Sequence, residues 1–273
     1  METFKSCIIL GVSIEADTKL YVLHEILTMI KLQYSDCKVF IGINYGCNNL
    51  VETIIDSYGL DSTYERLLDQ SLHTRSDDSA YQLALKLFYA DPTQYDVCWF
   101  VHTKGGFNSR DVERHTYIND FFSRRNEIET KFQKHEYLGV YGYRAGEYWV
   151  DTTNPVAPHI TNSFMRALWS DEPIIDDFTC EFCHVIIVET MFALNAKLMY
   201  KFLNRYSNFF DTKLRRYFFE CEISNFLSTR SGYYQGIVKG NWSNGLSMQP
   251  MINEWISKNQ LAHLETYKQT VSL

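Results

Sequence analysis

The sequence predicts an α/β fold with a mixed, mostly parallel central sheet flanked by helices. Two observations predict it. Over the first hundred residues, short apolar runs alternate with segments of helical periodicity, as expected of successive βα units. The most apolar of those runs, Asp96-Val-Cys-Trp-Phe-Val, then stops abruptly at His102-Thr-Lys-Gly-Gly106. That is the pattern of a buried strand delivering polar groups to the carboxyl edge of a sheet, where open α/β folds collect their ligands.

The elements follow in order. Cys7 to Ile14 reads as a strand, Thr18 to Tyr34 as a helix with Leu20, Leu23, Ile26, Leu27 and Ile30 on one face, and Cys37 to Asn44 as a second strand. Asn49 to Tyr58 reads as a short amphipathic helix. Ser76-Asp-Asp-Ser79 resembles a helix start, with Ser76 as cap and acids in the first turn. A strand from Val97 to Val101 closes this half, so the first strand ends fall at Ser13, Asn44 and His102. Beyond Asn108 a long polar helix is expected to about Gln133, then a strand from Leu138 to Tyr143. Cys183 to Val188 reads as a further strand, with Glu189 opening a helix that is fully periodic from Ala193 to Leu203. Asp211 to Leu227 reads as helical, Gly236 to Gly245 as a glycine-rich stretch around Trp242, and Met251 to about Tyr267 as a last helix. No linker or repeat interrupts the 273 residues, which are therefore expected to form a single domain.

Composition narrows the function. A net charge of −7 without clustered Lys and Arg argues against a general nucleic-acid or anionic-membrane surface. No apolar run reaches the ~18 residues of a membrane span, and the opening residues lack a signal-peptide pattern. The seven cysteines are scattered through apolar segments, as in Cys7, Cys37 and Cys98, which suits reduced thiols and a cytoplasmic protein. Cys180 and Cys183 have metal-knuckle spacing but lack a second pair. There is no G-x-x-x-x-G-K-[ST], no G-x-G-x-x-G after the first strand, no nucleophile elbow and no H-E-x-x-H. P-loop kinase, Rossmann dehydrogenase, serine hydrolase and zinc protease activities are thereby disfavoured.

The run from Asp96 to Gly105, followed some ninety residues later by Val188-Glu-Thr-Met-Phe192, resembles glycosyltransferases of the GT-A type. It is similar to the rhamnan-synthesis family, whose matching elements are His-x-Lys and Gly-[Ser/Thr]-Met-Phe, and to glycosyltransferases of large algal DNA viruses that decorate capsid glycans. Glu189 departs from the pattern, standing where that family usually has Gly. The resemblance spans about residues 5 to 230 and implies a GT-A-like fold with a helical C-terminal extension. Residues 5–110 would form the nucleotide-sugar half, 136–245 the acceptor and catalytic half, and 246–273 the C-terminal helix.

The chemistry of such a transfer assigns expected roles. A diphosphate leaves while an oxocarbenium-like sugar is attacked by an acceptor hydroxyl, so positive charge and N–H donors are needed at the diphosphate. Lys104 would be the fixed cation, and Gly105 and Gly106 would offer backbone N–H groups. Thr103 belongs to the same donor-binding turn. His102 is either a metal ligand or a direct hydrogen-bond donor. Transfer without a required cofactor, or only weakly stimulated by metal, is expected; Mn or Mg held here is the alternative.

Glu189 is the first candidate for the base of an inverting reaction, or else a first-turn acid favoured by the helix dipole; Asp176 and Asp177 come next, or form a solvated acidic turn. Arg75, Asp77 and Asp78 would contact donor hydroxyls or merely cap a helix. Ser13 and Asn44 end strands where a nucleobase would lie, and turn formation explains them equally. His184 suits a core histidine better than a ligand. Trp149 and Trp169, with further aromatics such as Tyr141 and Tyr143, suggest an acceptor-binding groove, a packed aromatic core being the competing explanation; His159 and Asn162 would contact sugar hydroxyls there or simply lie in a surface loop.

The resulting expectation is transfer from a uridine diphosphate sugar to a glycan or glycoprotein acceptor, with xylose onto a fucose-containing acceptor preferred. A non-catalytic carbohydrate-binding protein and a metal-dependent nucleotidyltransferase are the alternatives. The sequence does not fix the oligomeric state.

Overall fold

The computed structural model describes residues 4–69, 77–103, 106, 111–134, 140–145, 186–205, 209–211, 214, 219 and 235–238. The chain divides into two compact units, the first comprising 1–134 with 193–216 and the second 135–192 with 217–273.

In the first unit, strands β1 (Ser6–Val12), β2 (Lys38–Ile43), β3 (Ser62–Arg66) and β4 (Val97–His102) lie in the order β3-β2-β1-β4, every pairing parallel. The expected mostly parallel α/β sheet with flanking helices is therefore present. β1 and β4 are buried along their whole length, which is why they read as continuous apolar runs rather than alternating ones.

Alternation decides which helix each strand residue meets. Phe100 and His102 face α3 (Asp77–Ala90), where both rings meet Tyr81 edge-on. Trp99 points the opposite way, towards Tyr34 at the end of α1 (Leu20–Gln33) and towards Phe121 and Phe122. Two glycines let α3 approach the sheet. A Cβ on Gly42 would lie 1.9 Å from the Ala80 carbonyl oxygen, and one on Gly11 would touch Ala80 and Tyr81 at 3.4 Å. The first turns of α3 are thus pressed against the carboxyl ends of β1 and β2.

The sequence merged two features that the fold separates. Beyond β3 and the short α2 (Val51–Ser57), the polar helix expected from Asn108 to Gln133 is instead α4 (Asp111–Thr116), a π turn (Tyr117–Phe121), a 3-10 turn (Phe122–Arg124) and α5 (Arg125–Lys134). The widened turn allows Tyr117, Phe121 and the adjacent Phe122 all to be buried, which one regular helical stripe does not. Ser123 Oγ supports it by donating to the carbonyls of Asn119 and Asp120.

The second correction concerns Glu189, which does not open a helix. It lies within β6 (Ile186–Asn195), and the helix, α6, runs from Ala196 to Arg205. Met191 to Leu194 are buried and extend the apolar strand, while Asn195 is the true cap: its Oδ1 accepts the N–H groups of Lys197 at 3.0 Å and Leu198 at 3.3 Å. The end of β6 belongs to the first unit, where Ala196 N–H donates to the Asp96 carbonyl.

In the second unit, β5 (Val140–Ala145) pairs in parallel with β7 (Gln235–Val238). The strand β7 overlaps the start of the glycine-rich stretch around Trp242; four residues are too few to show a period. The helices expected over most of 211–227 and over 251–267, and hence the C-terminal extension, lie outside the described residues.

Candidate functional site

The order β3-β2-β1-β4 makes the chain run outward from β1 in both directions, so the switch point of the sheet lies between β1 and β4. Crevices at such points, beyond the strand carboxyl ends, are where α/β sheets bind ligands. The segments leaving β1 and β4 meet there. Thr103 N–H donates to the Gly11 carbonyl at 3.1 Å, and Ser13 N–H donates to Thr103 Oγ1 at 2.9 Å. Gly106 N–H donates to the Thr103 carbonyl at 2.9 Å, an i to i+3 contact in the segment that follows β4. A Cβ on Gly106 would lie 2.3 Å from the Ser13 carbonyl oxygen, so this position tolerates only glycine without movement.

The segment after β2 joins the same network. Asn44 N–H donates to the Val12 carbonyl, Asn44 Nδ2 donates to Ser13 Oγ at 3.1 Å, and Asn44 Oδ1 accepts the Tyr45 N–H at 3.0 Å. The Tyr45 N–H can only donate, so its bond fixes which end of the amide carries oxygen. Ser13, Asn44, His102 and Thr103 are all buried, at 1%, 2%, 2% and 3% exposure. Asp78 is equally buried in the first turn of α3.

The structure thus gathers Ser13, Asn44, His102, Thr103 and Gly106 at one edge, with Ser13, Asn44, Thr103 and Gly106 joined by hydrogen bonds. The Gly106 N–H donates to the Thr103 carbonyl, and the residue's missing side chain is what lets it lie against the Ser13 carbonyl. Asp77 begins α3. Arg75, Lys104, Gly105, Trp149, His159, Asn162, Trp169, Asp176 and Asp177 lie outside the described residues, as do Cys180, Cys183, His184 and Trp242. Among the described residues, no group of three or more His, Cys, Asp and Glu side chains is arranged to hold a metal ion, His102 included. Nor, among them, is any helix long and apolar enough to cross a membrane.

Sequence reasoning missed Arg66 and Cys47. Arg66, at the end of β3, grips Glu52 with two guanidinium nitrogens and donates to the carbonyls of Cys47 at 2.7 Å and Asn48 at 3.0 Å. That pairing holds the Glu52 carboxyl below its ordinary range. Cys47 Sγ accepts the Ile14 N–H and donates to the Val12 carbonyl, while Asn48 N–H reaches the Ile14 carbonyl. Burial raises the Cys47 thiol above its usual range, so it stays a neutral thiol at neutral pH. The loops after β1 and β2 are therefore stitched together, while Tyr45 and Leu50 remain 40% and 50% exposed. A lone Arg in Ser62-Thr-Tyr-Glu-Arg66 gives no sequence signal for that role.

No family model matches the chain, and no curated protein does. Among solved structures the chain is similar to the crystal structure of 4-diphosphocytidyl-2C-methyl-D-erythritolsynthase from Anaerococcus prevotii DSM 20548, at 13% identity and a TM-score of 0.44, over 94% of this chain and 96% of that one. A likeness this distant assigns no activity, and the glycosyltransferase resemblance stands on the two sequence motifs.

Proposed function

We propose that the protein is a glycosyltransferase of GT-A type that binds a nucleoside diphosphate sugar at the crevice between β1 and β4. The observation that carries this reading is the buried polar chain at the switch point, coincident with the His102-Thr-Lys-Gly-Gly106 motif. In this reading Lys104 and the Gly105 N–H, which Thr103 and Gly106 flank in the sequence, serve a diphosphate, where fixed positive charge and backbone donors stabilise the leaving group. One such donor is worth ~3 kcal/mol in the transition state.

His102 and Thr103 begin that motif, with Ser13 and Asn44 behind it and Arg75, Asp77 and Asp78 assigned to donor hydroxyls. Glu189, Asp176 or Asp177 supplies the base for inversion. Trp149, His159, Asn162 and Trp169 belong to the acceptor half. The donor is a uridine diphosphate sugar, with xylose the preferred sugar and a fucose-containing glycan the preferred acceptor. The protein acts in the cytoplasm as one catalytic domain made of the donor half at 5–110, the acceptor half at 136–245 and the C-terminal helix.

The test is release of free sugar or transfer product from a panel of nucleotide sugars, UDP-xylose among them, by wild type and Lys104→Ala. Turnover by the wild type that disappears in a folded Lys104→Ala protein supports the assignment. A fully active Lys104→Ala protein contradicts it. Glycan affinity without nucleotide affinity would instead indicate a carbohydrate-binding protein, and a strict metal requirement with pyrophosphate release a nucleotidyltransferase.

A further inference from the structure

Asn44 directly follows β2, one strand beyond β1 and two from β4, yet it is connected to the segment after β4 without a break. Its amide is held at both ends, Oδ1 by the Tyr45 N–H and Nδ2 on Ser13 Oγ. Ser13 in turn donates its N–H to Thr103 Oγ1, and the Thr103 carbonyl accepts the Gly106 N–H. With 2% of its surface exposed, Asn44 is placed to hold its neighbours rather than to present a face to a ligand. Ser13, at 1%, relays that hold. The contact 2.3 Å from the Ser13 carbonyl that any Cβ on Gly106 would make shows how little slack the relay has.

We propose that Asn44 is a positioning residue that acts through Ser13 on Thr103 and Gly106, the residues that flank Lys104 and Gly105 in the sequence, and so on the diphosphate end of the nucleotide rather than on its base. The assignment rests on the nucleotide-sugar reading above. It separates two roles that strand-end polar residues are otherwise given together. A residue touching the base contributes equally to nucleoside and nucleoside diphosphate binding. A residue that positions Thr103 and Gly106 contributes only to the extra affinity that the diphosphate provides.

The experiment measures binding of matched pairs, uridine with UDP and guanosine with GDP, to wild type, Asn44→Ala and Ser13→Ala. Ser13→Ala cuts the same link from the other side with a smaller change, so it decides the matter if Asn44→Ala does not fold. For whichever pair the wild type binds, both variants should keep nucleoside affinity within about twofold and lose about tenfold of the increment given by the diphosphate, the worth of one hydrogen bond to a charged group. Equal losses for nucleoside and diphosphate, or no loss for either, overturn the positioning role while leaving the nucleotide reading intact. Failure of the wild type to bind either pair overturns both.

Discussion

Replacing Gly106 by alanine tests whether the close approach of the β1 and β4 loops is what shapes the site. The added Cβ would lie 2.3 Å from the Ser13 carbonyl oxygen, 3.1 Å from the Thr103 carbonyl oxygen and 3.2 Å from Ile14 Cγ1. Ordinary contacts begin near 3.4 Å, so the Gly106 backbone and that of Ser13 must part by about 1 Å. The nearest atom is backbone, and no side-chain rotation relieves the overlap. Movement is resisted by the Ser13 N–H bond to Thr103 Oγ1 and the Thr103 N–H bond to the Gly11 carbonyl, each contributing about 1 kcal/mol.

The expected cost in stability is about 1–3 kcal/mol, the usual range for overpacking. The expected cost in function is larger, because a displacement of about 1 Å in groups that contact a reacting diphosphate reduces turnover on the order of 100-fold. Thermal unfolding measures the first and donor turnover the second. A Gly106→Ala protein that melts and turns over like wild type would refute the packing argument. One that is destabilised but fully active would refute the link between this segment and the diphosphate.

Three further predictions follow from named contacts. Gly42→Ala would drive a Cβ to 1.9 Å from the Ala80 carbonyl oxygen and should cost about 3 kcal/mol or more, whereas Gly11→Ala, with first contacts at 3.4 Å, should stay within about 1 kcal/mol of wild type; equal melting temperatures for the two would refute the seating of α3 on the sheet. The Glu52 carboxyl is held below its ordinary range by Arg66, so the folded state binds its proton less readily than the unfolded chain. Its contribution is therefore fully present above about pH 4.3 and lost as pH falls through the depressed folded value; urea midpoints followed from pH 6 to pH 3 should drop less steeply in Glu52→Gln, and an unchanged slope would contradict the pairing. Burial pushes the Cys7 thiol well above its normal range and Cys37 up to about 12, and Cys47 is raised for the same reason. Iodoacetamide at pH 8 should leave these three unmodified in the native protein and label them in urea, as read by peptide mass spectrometry; native labelling of Cys7 would contradict its burial in β1 opposite Cys98 of β4.

Much of the first unit was legible because its signals are local. The apolar run ending at His102 and the polar residues Ser13 and Asn44 marked strand ends, and parallel βα units with short strands bring successive strand ends to one edge. What joins them was not legible. The bond from Asn44 to Ser13 spans 31 residues and that from Ser13 to Thr103 spans 90, and no spacing rule encodes either. Glu189 was misplaced because an acid after an apolar strand looks like a helix start, whereas the cap that won, Asn195, lies beyond a further buried stretch from Met191 to Leu194. The π turn escaped notice because its cause is tertiary: Trp99 on β4 takes both Phe121 and Phe122 as neighbours.

The central claim is that the crevice between β1 and β4 binds a nucleoside diphosphate through the His102-Thr-Lys-Gly-Gly106 motif, with Lys104 as its cation. Calorimetric titration of wild type and Lys104→Ala with nucleoside diphosphates and nucleotide sugars, each with and without Mn, tests it most directly. The account predicts binding of one nucleotide family by the wild type and its loss in a Lys104→Ala protein that melts normally. Absence of binding to every nucleotide, or undiminished binding by Lys104→Ala, would contradict it.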